Sequence, residues 1–250
     1  MSRTRWVREP AEESAQPGGF PSLPCLEAVY VTDPGLVAEV LPPPLVAPPQ
    51  PRVHVRITDI DLQFGELRHK ELVGYFAVDA LLDGEAGEYP LLIPIDLEPA
   101  MSQSRERFGE PKKLADITLS RTSEGVVEGS VTRQGVTFIE MKGRVTGDLP
   151  VPEPYPATQF WIKFLPAVEG PGFDAGPLLV RLDQVRRPEK VQQVEGELIL
   201  RELAGCPVVD LPVRELISLQ WVVRSSENSP KLVGPIDPTA FAAHVPVRYQ

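Results

Sequence analysis

DITLSRTSEGVVEGSVTRQGVTFIEMKGRV, Asp116–Val145, settles the class of the chain. Its three runs, DITLSR, VVEGSVTR and VTFIEMKGRV, alternate apolar and polar residues, and glycine-bearing turns separate them, the second being Gln134-Gly135. A period of two places one face of each run on a core, so the stretch predicts an antiparallel meander.

The pattern continues in both directions. CLEAVYVT (Cys25–Thr32), RVHVRITDIDL (Arg52–Leu62), KELVGYFAVDALL (Lys70–Leu82) and YPLLIPIDL (Tyr89–Leu97) read as strands toward the N-terminus. FWIKFLPAV, PLLVRLDQVRR and VEGELILREL (Val194–Leu203) read as strands toward the C-terminus, and LPVRELISLQWVVR as a helical turn at Pro212 running into another. Helices are few and short. Asp33-Pro34 forms an N-cap and first helical position ahead of GLVAEVL, which the proline-rich connector LPPPLVAPPQP must end. MSQSRERFG (Met101–Gly109) is a second helix, closed by Gly109 and stopped by Pro111. With 29 prolines and 19 glycines, short elements joined by turns are expected. The sum is a β-dominated α+β domain of ten or more strands, closed or double-sheeted to hide its edges. Residues 1–22, polar and bearing Pro17-Gly18-Gly19, read as a flexible N-terminal arm, and 23–250 as one domain.

Composition narrows the function. A formal charge of -10 argues against a nucleic-acid binder, which needs a basic face, though it permits a locally basic pocket. Cys25 and Cys206 stand in no metal-ligand spacing and read as buried thiols of a reducing compartment. The three histidines form no metal set, so neither metal nor cofactor is expected. There is no signal peptide and no bilayer-length apolar run, which points to a soluble cytoplasmic protein.

The chemistry concentrates in FGEPKKLADI, Phe108–Ile117. A free lysine, with pKa about 10.4, is almost wholly protonated at pH 7, and only the neutral amine attacks a carbonyl. Burial lowers that pKa, and so does a second cation. Two charges about 6 Å apart at an effective dielectric near 20 repel by about 3 kcal/mol, or about two pK units, so burial must supply the remainder. Adjacent residues of a strand point to opposite faces, so Lys112 and Lys113 meet only if the backbone near Pro111 is irregular.

Here the sequence resembles the acetoacetate decarboxylase family over most of its length. IDLEPAMSQSRERFGEPKKLADI is similar to that family's lysine motif and the lead into it, DGEAGEYPLLIP to its hairpin, and VYVTDPGLVAEVLPPPL to its N-terminal segment. FWIKFLPAVEGPGF and DLPVRELISLQWVV complete the order. The resemblance implies a cone-like β-barrel around an enclosed pocket, commonly in a homo-oligomer, with a small keto acid as ligand. It implies that Lys112 forms the Schiff base and that Lys113 depresses its pKa. The family enzyme is itself the standard illustration of a lysine activated by a cationic neighbour.

Other family positions differ. The arginine that precedes the first strand falls near Leu23, one pocket glutamate falls near Arg56, and the second falls at Val73. Glu71, two residues earlier on the same strand face, is the candidate pocket acid. Arg56 is a candidate for holding a substrate carboxylate, and Glu110 is a further carboxylate at the site, suited to pairing with a cation. The expected chemistry is decarboxylation of a β-keto acid through a lysine iminium. The alternatives are an aldolase–dehydratase reaction on an α-keto acid such as pyruvate, and a non-catalytic ligand-binding β-barrel.

Overall fold

A computed structural model describes residues 18–64 and 67–250. The strands are β1 (Gly18–Val31), β2 (Arg52–Phe64), β3 (Leu67–Leu82), β4 (Glu85–Ile95), β5 (Lys112–Leu114), β6 (Asp116–Arg121), β7 (Val126–Arg133), β8 (Val136–Asp148), β9 (Tyr155–Pro166), β10 (Phe173–Leu200) and β11 (Glu215–Pro235). The helices are α1 (Pro34–Val40), α2 (Glu98–Phe108) and α3 (Pro238–Phe241).

Seven strands close into a ring in the order β11-β1-β2-β3-β4-β9-β10, with β10 returning to β11. The ring has one thin seam. β4 meets β9 through a single parallel bridge, Glu88 to Gln159, where every other junction is an antiparallel ladder. From the C-terminal half of β10 the sheet continues through β8, β7 and β6, so the meander folds back over the ring. Gly129 on β7 lies so close to Leu26 and Ile57 that a Cβ there would stand 3.0 Å from the Ile57 side chain.

Both faces of the central strands are buried, which explains why their sequences are rich in β-branched residues on both parities. On β2, Val53, Val55 and Ile57 join the main apolar cluster with Phe76, Val78 and Ala80 of β3, Val127 and Val131 of β7, and Phe138, Ile139 and Met141 of β8. The opposite parity, Arg56, Thr58 and Ile60 of β2 with Glu71, Val73 and Tyr75 of β3, faces a cavity of about 750 Å³ lined by the ring strands and α2. Period-two alternation thus sorts one pair of strands into a dry layer and a site.

Several local expectations change. The stretch 18–22, read as part of an arm, is the start of β1 and pairs with β11; residues 1–17 lie outside the described residues. The two strands expected around PLLVRLDQVRR and Val194–Leu203 are one 28-residue strand, β10. It bends at a bulge between Pro188 and Lys190, where proline removes a ladder donor, so a single strand serves β9 on one half and β8 on the other. Pro212 opens no helical turn; the turn is a 3₁₀ segment at Val208–Asp210, ahead of β11. α2 begins at Glu98, earlier than Met101, because Pro99 suits the first helical turn. At α1 the Asp33 carboxylate accepts from the Gly35 N–H at 2.8 Å, as its N-cap reading requires.

Candidate active site

One wall of the cavity is α2, which presents Ala100, Gln103, Ser104, Arg107 and Phe108, a stripe at helical spacing. The helix ends at Gly109, whose backbone is left-handed at φ 77° and whose N–H reaches the Arg105 carbonyl at 3.0 Å. A Cβ at that position would stand 2.4 Å from the Ile162 carbonyl and from Lys163 of β9, so glycine alone lets the chain turn there. The turn delivers Glu110 and Pro111 to β5, which runs parallel to β4 with Lys112 beside Ile93.

Lys112 is buried and its side chain enters the cavity. Its Nζ lies 3.0 Å from Ser104 Oγ and 3.2 Å from Glu110 Oε2. Glu71, 3% exposed, lines the same end, and its Oε2 finds no hydrogen-bond partner. Burial raises the Glu71 carboxyl to about 7; Lys112 opposes the shift, while Glu110 and Asp96 add to it. Val73, Ile93, Ala100 and Phe108 complete an apolar surround. This end therefore holds an amine, a carboxylate paired with it, and an acid that changes charge near neutrality.

Lys113 requires a correction. It was expected beside Lys112 as the cation that perturbs it. Strand parity sends it to the other side of β5, where Nζ donates to the carbonyl oxygens of Gly205 and Val247 at 2.6 Å and of Gln250 at 3.1 Å. Burial lowers its pKa to about 8, and Arg133, Arg105 and Arg248 add to that, with Cys206 opposing. Lys113 does not line the cavity. The backbone after Pro111 is regular strand, so adjacency in sequence does not become adjacency in space.

Arg56 also lines the cavity, yet it is tied to Glu88 by two bonds of 2.7 Å and lies over the Tyr75 ring at 4.8 Å. Glu88 accepts as well from Tyr75 Oη at 2.8 Å and from Arg186 Nη1 at 3.3 Å. Burial works against its charge, but Arg56 and Arg186 outweigh that and hold it well below the carboxylate range. Glu27 accepts from Arg224 at 2.8 Å and Arg56 at 3.3 Å; burial raises it, and the two guanidiniums bring it down to about 2. Glu27, Glu88, Arg186, Arg224 and Trp161 escaped the sequence reading. Their strands were recognised, but which parity faces inward is fixed only when the ring closes. Leu23, at the family's arginine position, does line the cavity, and Arg186 and Arg224 bring guanidiniums there from other strands.

Among the described residues no set of three or more metal-ligating side chains stands together, and no helix is long and apolar enough to cross a membrane. Both cysteines are buried free thiols.

Comparison with known proteins agrees with the fold. The family model described as acetoacetate decarboxylase matches residues 7–228. The acetoacetate decarboxylase of Burkholderia ambifaria is 27% identical over 203 residues, 78% of either chain, and that of Burkholderia multivorans is 28% identical over the same share. Among solved structures, the acetoacetate decarboxylase of Legionella pneumophila superposes with a TM-score of 0.74 at 19% identity, covering 93% of each chain. The enduracididine biosynthesis enzyme MppR, solved with pyruvate, superposes at 0.72 and 17% identity over 91% of this chain and 94% of its own.

Proposed function

This chain belongs to the acetoacetate decarboxylase family, and from there we propose that Lys112 forms an imine with a small keto acid and that the reaction completed on it is decarboxylation of a β-keto acid, a carbon–carbon lyase activity. The observation that carries the reading is the buried Lys112 amine, 3.2 Å from Glu110 and beside Glu71, whose carboxyl burial raises to about 7.

The steps use groups in place. Glu110 is the nearest base for the ammonium proton of Lys112. The neutral amine adds to the ketone, and Ser104, 3.0 Å from Nζ, is placed to pass a proton as water leaves and the iminium forms. The iminium nitrogen takes up the electron pair of the breaking C–C bond, releasing CO₂ and leaving an enamine. Glu71, protonated below about pH 7, returns a proton to carbon. Water then hydrolyses the new iminium to the ketone and the free amine. The apolar surround of Val73, Ile93 and Phe108 disfavours the charged carboxylate over neutral CO₂.

Glu71 also supports a second outcome. As a carboxylate it can take an α-proton from an imine of an α-keto acid, giving an enamine that adds to an aldehyde. The two reactions share every residue up to the iminium and separate there, one losing CO₂ and the other giving an α-proton to Glu71. Sodium borohydride with a panel of keto acids, followed by peptide mass mapping, should place a reduced adduct on the peptide that contains Lys112, and Lys112→Ala should abolish it. Gas release then assigns the outcome. An unmodified Lys112 with every acid tried would leave the non-catalytic ligand-binding barrel as the surviving reading.

A further inference from the structure

The end of the cavity away from Lys112 is built differently. Arg56, Arg186 and Arg224 line it, whereas their partners Glu27 and Glu88 do not and stand behind them. Three guanidiniums face two carboxylates, so one positive charge is left over in a buried place, inside a chain whose net charge is -10. Buried charge persists where it is paired, and the unmatched cation calls for an anion from outside. The neighbouring lining is polar: Gln159 and Gln184 bond each other at 3.3 Å, Gln184 reaches Asn228 at 2.8 Å, and Arg186 donates to Gln184 at 3.1 Å. Part-way along, the Trp161 side chain is buried and its indole N–H finds no acceptor.

The two ends are set apart by strand geometry. Arg56 pairs with Tyr75 of β3, the β3–β4 register sets Ile93 opposite Tyr75, and Lys112 of β5 pairs with Ile93, so Arg56 and Lys112 stand at the two ends of one cross-strand row. Three strand spacings of about 4.8 Å part their backbones by roughly 14 Å. A four-carbon acid held at Lys112 spans only a fraction of that distance.

We propose that the arginine end is a subsite for a second carboxylate, so that the substrate is a keto dicarboxylate with its ketone at Lys112 and its distal carboxylate on Arg186 and Arg224. The proposal rests on the imine reading for the placement of the ketone. A carboxylate, rather than a phosphate, fits because one negative charge cancels the single excess positive charge, and a guanidinium presents two parallel donors to it.

The test compares 3-oxo dicarboxylates of adipate to azelate length with 3-oxo monocarboxylates of the same carbon number, in borohydride trapping on Lys112. The expected result is half-maximal trapping at a concentration at least about tenfold lower for the dicarboxylate of best length. Arg186→Gln should collapse that ratio toward one. It removes the excess charge and leaves Glu88 with its two bonds to Arg56 and one to Tyr75, so the wall keeps its main ties. A parallel measurement needs no ketone: thermal stabilisation by saturated dicarboxylates against saturated monocarboxylates. Equal trapping and equal stabilisation by the two classes overturns the subsite and leaves the imine standing. Stabilisation by dicarboxylates with no adduct on Lys112 supports the subsite and removes the imine. Tighter binding of inorganic phosphate or a phosphorylated keto acid than of any dicarboxylate overturns the assignment to a carboxylate.

Discussion

Glu71 shows how much one side chain decides. Burial puts its pKa near 7, and that value makes it an acid below neutrality and a base above it. If it returns the proton to the enamine, decarboxylation should fall as pH rises through about 7. Glu71→Gln should lower the rate by about 10²- to 10⁴-fold and remove that limb of the profile. A profile unchanged in Glu71→Gln would assign the proton to another group. Stability carries the same signature. The folded pKa of about 7 lies above the usual 4.5, so the folded chain holds a proton that the unfolded chain has released in that window. The contribution is complete below about 4.5 and is lost as pH rises through about 7, so Glu71→Gln should gain on the parent in thermal stability between pH 5 and 8. The residue was legible as a candidate because same-face parity survives a two-residue offset. Its environment was not legible, since Asp96 and Glu110 reach it only after β4 and α2 are in place.

At the scale of the element, the α2–Gly109–β5 connection fixes where Lys112 sits. Its sequence was readable almost completely: a helix, a glycine cap and a proline stop are local signals. The close approach of that cap to β9 was not, because it depends on a strand about 50 residues away in the chain. Gly109→Ala should therefore cost more than the ~1 kcal/mol expected of a left-handed position alone, since the added methyl meets backbone at 2.4 Å. Unfolding by urea, with the midpoint lowered and the slope unchanged, is the check; a midpoint equal to the parent's would show that the turn relaxes freely. Strand limits followed the same division. Ladders between neighbours in sequence were predictable from alternation, whereas the merger of two expected strands into β10 reflects β11 lying alongside both halves.

For the whole molecule, Lys113 is a tie between distant parts of the chain, set outside the cavity that Lys112 enters. It ties β5 to Gly205, Val247 and Gln250, three points more than 90 residues away in the chain. Lys113→Met leaves the Gly205 and Val247 carbonyls without that donor, while Gln250 keeps Arg133, and should cost about 2 kcal/mol, roughly 4–8 °C in Tm, while the pH dependence of imine trapping on Lys112 stays where it was. A trapping profile displaced toward higher pH would restore the perturbing role. Which strands close the ring was announced by no local pattern, and the seam between β4 and β9 has a further consequence. With one backbone bridge there, Glu88 joins β4 to Arg56 of β2, Tyr75 of β3 and, across the seam, Arg186 of β10. The groups that face the ligand are thus also the rivets of the wall. In evolutionary terms that end of the cavity is not free to drift: Arg56 and Glu88 hold the wall together, so a lineage that exchanges either must refasten the barrel in the same step, and changes at that pair should be inherited together.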